Sequence, residues 1–317
     1  MLRLHDIEPD LVDSDIKLFL KTQFTGIAKT QSGCNFAEDW PSSQDIDALC
    51  KKAAGFFIYA STIVKFVASQ YHPPTERLAL IISLPQDTSH EGKSGINLLY
   101  TQVLEQAFHD VDEDFYFNLR SVVGTVALAA HPLSIKSLSE LLGNCGTPSG
   151  TYNSLHALHS ILLVPDKEEE PVRIFHKSLP NFLTNPKRCT DSQFFVDPPV
   201  YHREILLSCL KLMEERLKRN ICHLDDYAVL SEVRDLLIHQ RAHIGDALEY
   251  VCCFWTTHLM GTVGSNLDIK DVEQAINTFF TKYFLFWLEV LSLLGKLEAG
   301  VYALSNIDKW YTQVSHV

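Results

Sequence analysis

The sequence predicts a mainly α-helical protein: a helical domain, then a module of three helices closed by one β-hairpin, then a helical bundle. Three observations carry that expectation. Apolar residues recur at three- and four-residue spacing along most of the 317-residue chain. Two short apolar runs around a polar turn, the signal of a hairpin, occur convincingly in one place. Proline and glycine clusters punctuate the helical stretches.

The first stripe lies between Val12 and Lys29, where Ile16, Phe19, Leu20, Phe24 and Ile27 recur at helical spacing. Asp13 and Asp15 stand at its start, at the positive end of the helix dipole. Gly33–Trp40 is polar and irregular, and Pro41-Ser42-Ser43 opens a second helix. That helix is predicted to run unbroken from Ser43 to Tyr71, with Ile46, Leu49, Cys50 and Ala53 on one face, until Pro73-Pro74 ends it. After a polar break over Pro85–Gly95, the residues Ile96, Leu99, Tyr100, Val103, Leu104, Ala107 and Phe108 form a third stripe.

From Val111 the texture changes. Phe115–Ala130 reads as a buried helix stopped by His131-Pro132, and Ser134–Leu142 as a short one stopped by Gly143. Beyond the Gly143–Gly150 loop, a further helix carries Leu155, Leu158, Ile161 and Leu162. Leu162-Leu163-Val164 and Val172-Arg173-Ile174-Phe175 then flank the acidic turn Pro165–Glu170. Three helices and a hairpin in that order predict a winged helix. After Pro198-Pro199 long amphipathic helices return. One stripe is Leu206, Cys209, Leu210, Met213 and Leu217; another is Ile244, Ala247, Leu248, Val251, Trp255 and Leu259. Phe279–Leu294 is apolar on nearly every side, which predicts a helix inside a bundle.

Composition bounds the function. Hydrophobic residues make up 46% of the chain and charged residues 21%, which excludes intrinsic disorder. Twenty-seven Lys and Arg against 39 Asp and Glu give a net charge of -12, which argues against a surface that coats nucleic acid. Eight cysteines are too sparse for a disulfide-stapled scaffold of this length. The acidic first turns lack an apolar signal core. Lys65 interrupts Gly55–Gln70, and Lys282 and Glu289 interrupt Phe279–Leu294, so neither reaches the about 18 uncharged residues a bilayer span needs. The expectation is a soluble, cytoplasmic protein with reduced thiols and no membrane partner.

Chemical motifs are incomplete. Glu91-Gly92-Lys93-Ser94 ends like a Walker A phosphate loop, yet Asp87 occupies the place of its first glycine, where phosphate would have to sit. His239 and His243 have the i,i+4 spacing of zinc ligands, but Gln240 stands where a metalloprotease has glutamate and no third ligand is evident. His156 and His159, with Cys145 upstream, are equally incomplete. Adjacent Cys252 and Cys253 beside Trp255 point about 100° apart on a helix and read as core packing. No G-x-S-x-G elbow is present. The expectation is no catalytic residue and no metal.

A winged helix raises DNA binding. Base readout needs Arg, Lys, Asn or Gln on a recognition helix, with cations for phosphate. Thr151–Leu163 contains neither Lys nor Arg, and the wing turn is Glu168-Glu169-Glu170. A protein-facing module is the better reading.

Several segments, taken together, resemble fungal NACHT-type STAND NTPases. They are AAGFFIYAST (Ala53–Thr62) with Phe66-Val67, GINLLYTQVLEQAF (Gly95–Phe108), HPLSIKSLSELLG (His131–Gly143) and VRIFHKSLPNFLTNPKRC (Val172–Cys189). FFVDPPVYHREILLSCLKLM (Phe194–Met213) and YVCCFWTTHL (Tyr250–Leu259) follow in the family's order. The resemblance implies that residues 1–40 are a remnant of the NACHT ATPase core and 41–110 a small helical lid domain. It further implies a winged-helix domain over 111–197 and a second helical domain over 198–317. The family's Walker A and Walker B portions and WD-repeat propellers have no counterpart here, so the chain is expected to be a truncated gene model or a diverged fragment, and not an enzyme. ADP or ATP enters only with a P-loop core. The resemblance gives one residue a role: His176, just after the hairpin, matches a winged-helix histidine that contacts the β-phosphate of ADP and senses nucleotide state. The alternative from the residues themselves is that His176 ends the strand and caps the Ser178–Leu183 turn.

The function these readings predict is a non-catalytic regulatory segment of a NACHT-type signalling NTPase of the fungal non-self recognition kind. Its expected partners are proteins, copies of itself, or a P-loop NACHT core. The alternatives are a free-standing α-helical adaptor and, more weakly, a winged-helix DNA binder.

Overall fold

The computed structural model describes residues 9–31, 36–69, 72–85, 93–143, 148–225, 229–264 and 269–314. They are mainly α-helical, and the one sheet among them pairs Leu162–Leu163 (β1) with Arg173–Ile174 (β2). The chain divides into two units. The first comprises Met1–His109, Ala157–Leu163 and Phe175–Phe194; the second comprises Asp110–His156, Val164–Ile174 and Phe195–Val317.

In the first unit, α1 (Pro9–Thr30) buries Ile16, Leu20, Phe24 and Ile27 of the predicted stripe, while Phe19 is only half-buried. A capping box starts α2 (Ser43–Ala53): Ser42 accepts the Asp45 backbone N–H at 3.1 Å, and its own N–H donates to the Asp45 carboxylate at 2.9 Å. The expected unbroken helix from Ser43 to Tyr71 is wrong. Ala54 and Gly55 take left-handed φ of 44° and 80°, so α2 stops and α3 (Phe57–Val67) begins afresh. The left-handed C-cap is Ala54, Gly55 carries the turn on at positive φ, and the apolar run behind it hides that stop from a periodicity count. A fourth helix, α4 (Pro74–Ser83), starts at the second of the two prolines expected only to end its predecessor. Arg77 ties it to α3, donating to the Phe66 carbonyl at 2.6 Å with its guanidinium 4.3 Å from the Phe66 ring centroid. Burial lowers the Arg77 pKa to about 10. Helix α5 (Lys93–Ala107) buries Leu99, Tyr100, Val103 and Leu104.

In the second unit, Asp112 caps α6 (Glu113–Leu128) by accepting the Phe115 N–H at 2.7 Å. Ser134 caps α7 (Ile135–Leu142), and Gly143 ends it at φ 61°. Helix α8 (Pro148–Ala157) is shorter than the expected stripe, stopping before Leu158 and Ile161. The acidic turn after β1 is anchored to the start of α7. Val172 N–H donates to the Leu133 carbonyl at 2.9 Å, Lys136 N–H to the Glu168 carbonyl at 3.1 Å, and Ser134 and Pro171 form an antiparallel bridge.

Beyond the first unit's short α9 (Ser178–Leu183), the second unit continues with α10 (Pro198–Arg216), α11 (Leu236–His243) and α12 (Gly245–Gly261). It ends with α13 (Lys270–Thr278), a π-helical turn over Phe279–Tyr283, α14 (Phe284–Leu293) and α15 (Leu297–Val314). Three fully buried tryptophans, Trp255, Trp287 and Trp310, centre this core. Trp287 Nε1 donates to the Cys252 carbonyl at 2.9 Å and Trp310 Nε1 to Thr262 Oγ1 at 3.0 Å, so both indoles are buried without losing a hydrogen bond. Phe279–Leu294, expected inside a bundle, packs into the core through Phe279, Trp287, Val290, Leu291 and Leu293, while Leu285 on its other side is 73% exposed. An antiparallel neighbour covers one face of a helix, and hydrophobic composition alone cannot say which. Among the described residues no helix is long and apolar enough to cross a membrane.

Candidate functional site

His176 follows β2 and precedes α9, on the surface of the first unit. Its backbone carbonyl accepts the Leu179 N–H at 3.1 Å, and its Nδ1 accepts the Ser178 N–H at 3.2 Å. Two otherwise unsatisfied donors at the start of α9 are thereby met. The Ser178 hydroxyl lies 2.8 Å from the same Nδ1 and 2.8 Å from the Tyr100 hydroxyl. With Nδ1 already accepting a backbone N–H, the arrangement that uses every group has Tyr100 O–H donating to Ser178 Oγ and Ser178 O–H donating to Nδ1. The imidazole proton then resides on Nε2, which makes this exposed ring a hydrogen-bond donor to whatever approaches it.

Two cations contact residues next to this relay, Lys65 on α3 and Arg188 beyond α9. Lys65 Nζ lies 3.5 Å from the Phe175 ring centroid, and burial lowers the Lys65 pKa. Arg188 donates from Nε and Nη2 to Asn97 Oδ1 at 3.1 and 2.7 Å. Tyr100 packs its ring 5.5 Å from Phe182, and burial raises its hydroxyl pKa, so it stays a neutral donor. The sequence singles out His176 but not the Tyr100–Ser178 contact behind it, because those two residues are 78 positions apart. No local pattern could pair them.

A second histidine arrangement lies inside the second unit. His258 is fully buried, its Nδ1 2.9 Å from His202 Nδ1 and its Nε2 2.9 Å from the Tyr250 hydroxyl. Ala130 N–H donates to that hydroxyl at 3.1 Å. The direction that leaves no buried donor idle runs from Ala130 N–H to Tyr250, from Tyr250 O–H to His258 Nε2, and from His258 Nδ1–H to His202 Nδ1. Burial, reinforced by His202, lowers the His258 pKa to about 3; burial lowers that of His202 as well. Both rings are therefore neutral, and the bond between them needs one of the two Nδ1 atoms unprotonated.

The other singled-out residues take ordinary packing roles. His239 and His243 stack with centroids 6.3 Å apart, and His223 meets His243 edge-on at 5.0 Å. Among the described residues no group of three or more His, Cys, Asp or Glu side chains is placed to hold a metal. His156 packs on Tyr152 at 5.0 Å; Cys145 lies outside the described residues. Cys252 and Cys253 are buried as core residues, and burial raises both thiol pKa values, which keeps them protonated. Of the Gly-Lys-Ser stretch, Gly92 and Asp87 lie outside the described residues, while Lys93 and Ser94 open α5.

Comparison with known proteins yields one informative match. Over 325 aligned positions, covering 96% of this chain, the sequence is 22% identical to vegetative incompatibility protein HET-E-1 of Podospora anserina. The relationship is a distant one. The chain spans only 22% of that protein's length. No protein-family model matches the chain. No solved structure matches it either.

Proposed function

We propose that this chain is a non-catalytic regulatory segment of a NACHT-type signalling NTPase, acting in the fungal non-self recognition class of response. The observation that carries the reading is the match along almost the whole chain to a vegetative incompatibility protein, which agrees with the ordered family-like segments. In this reading α6, α7, α8 and the hairpin form a winged helix. The segment converts the nucleotide state of a P-loop core into opening and association, binds protein partners in the cytoplasm, and hydrolyses nothing alone. ADP or ATP belongs to the core.

His176 is the residue through which the segment reads that nucleotide. Its outward Nε2–H suits an anionic oxygen supplied from outside the unit, and a charge-assisted hydrogen bond of this kind is stronger than a neutral one. A switch requires that contact in one nucleotide state and not in the other. The test is size-exclusion chromatography with light scattering on this chain co-expressed with a P-loop core. The expected result is an ADP-dependent complex that His176→Ala weakens. A core that never associates, in either nucleotide state, overturns the proposal.

One observation favours the second reading, a helical adaptor. On α15 the exposed side chains Leu297, Val301, Leu304 and Tyr311 follow a four-three-seven spacing, an apolar seam of the kind helices use to dock on one another. Under that reading the chain dimerises or binds a partner helix irrespective of any core.

A further inference from the structure

Within the second unit, the acidic turn, the start of α7, the first half of α12 and Lys296 enclose a cleft of about 340 Å³. Three aromatic rings line it, those of His131, Tyr250 and Phe254. The His131 and Phe254 rings lie nearly parallel, at 10° with centroids 6.3 Å apart, and Tyr250 tilts against Phe254 at 5.2 Å. The charged residues of its lining are Glu169, Asp246, Glu249 and Lys296. Lys296 pairs with Glu249 at 2.5 Å, whereas Glu169 and Asp246 have no side-chain partner among the described residues. The two backbone bonds that anchor the turn at Glu168 and Val172 hold Glu169 at the mouth of the cleft. Asp246 stands in the first turn of α12, at the positive end of the helix dipole.

We propose that this cleft receives an arginine side chain presented by a protein partner. Two carboxylates without a side-chain partner among the described residues, in a cleft also lined by aromatic rings, suit a cation that is also planar. A guanidinium stacks on an aromatic face while its N–H fork meets carboxylates, and it sheds water more readily than an ammonium. Phosphates and carboxylates are repelled by the same two acids, so nucleic acid and acidic peptides are the wrong partners. The volume suits one side chain and its flanking backbone, at the small end of ligand pockets.

The experiment is fluorescence anisotropy of the intact chain with two labelled, capped peptides, one of four Arg-Gly repeats and one of four Lys-Gly repeats. The arginine peptide is expected to bind at least about threefold more tightly than the lysine peptide. The double variant Glu169→Gln, Asp246→Asn should weaken the arginine peptide about three- to tenfold. Phe254→Leu should remove the preference for arginine while retaining part of the charge attraction. Asp308→Asn, an exposed acid on α15, should change nothing. Absence of binding, equal affinity for the two peptides, or equal weakening by Asp308→Asn would each overturn the proposal, the last two by reducing it to diffuse charge attraction.

Discussion

The two units each hold a histidine in a hydrogen-bonded relay that begins at a tyrosine, and the two differ in almost everything that determines what an imidazole does. His176 ends its relay at the surface, with Tyr100 and Ser178 behind it and Nε2–H facing outward. His258 sits mid-relay with no exposure, both nitrogens engaged by Tyr250 and His202. The first contributes little to folding and is available for a ligand. The second is unavailable to any ligand and bound up with stability. Position in the relay and solvent access, not the residue type, assign these roles.

The largest effect expected from this contrast is on acid stability. The folded-state pKa of His258, about 3, lies below the ordinary 6.5, so the unfolded chain binds a proton that the folded chain refuses. The stability contributed by the neutral ring is therefore complete above pH 6.5 and is lost as pH falls from 6.5 towards 3. Each pH unit within that window costs about 1.4 kcal/mol from this residue alone. Urea midpoints at pH 7, 6 and 5 should fall accordingly, and His258→Gln, which keeps a hydrogen bond but cannot charge, should flatten the decline. An unchanged slope in that variant would remove His258 from the account.

Next in size is Gly261→Ala. A Cβ there would stand 2.3 Å from Cγ and Cδ2 of the His202 ring, so the ring must move and its bond to His258 with it. A loss of about 1–3 kcal/mol is expected in denaturant titration. Smaller still is Tyr100→Phe, which deletes the first donor of the surface relay at a cost of about 1 kcal/mol. Nitrogen NMR of His176 should then show a mixture of tautomers in place of a single Nε2–H form. The smallest effect on folding is that of His176→Ala, within about 0.5–1 kcal/mol, because an exposed side chain is lost and only one capping bond with it. A large destabilisation by this last variant would erase the distinction between the two relays.

Much of the helical framework was legible in the sequence, and the reason is periodicity. The stripes of α1, α5, α10 and α12 each contain the buried residues that their spacing selects. The hairpin was legible because its acidic turn separates two apolar runs. Periodicity failed where a backbone conformation, not a side chain, sets the boundary, as at Ala54 and Gly55. It also failed for α4, which begins at a proline that reads equally well as a stop. Burial of α14 depended on which neighbour it met, which no count within the segment reveals. The candidate site was half legible. His176 stands out by resemblance, while Tyr100, the His202–His258 pair and the cleft above Phe254 arise from residues brought together across tens of positions.

Isothermal titration calorimetry of the purified chain with ADP, and with ATP plus magnesium, tests the central claim most directly. No binding in the micromolar range is expected if, as proposed, the phosphate cradle is supplied by a separate core and His176 offers only a single donor. Saturable micromolar binding that survives His176→Ala would contradict it, showing that this polypeptide carries a nucleotide site of its own.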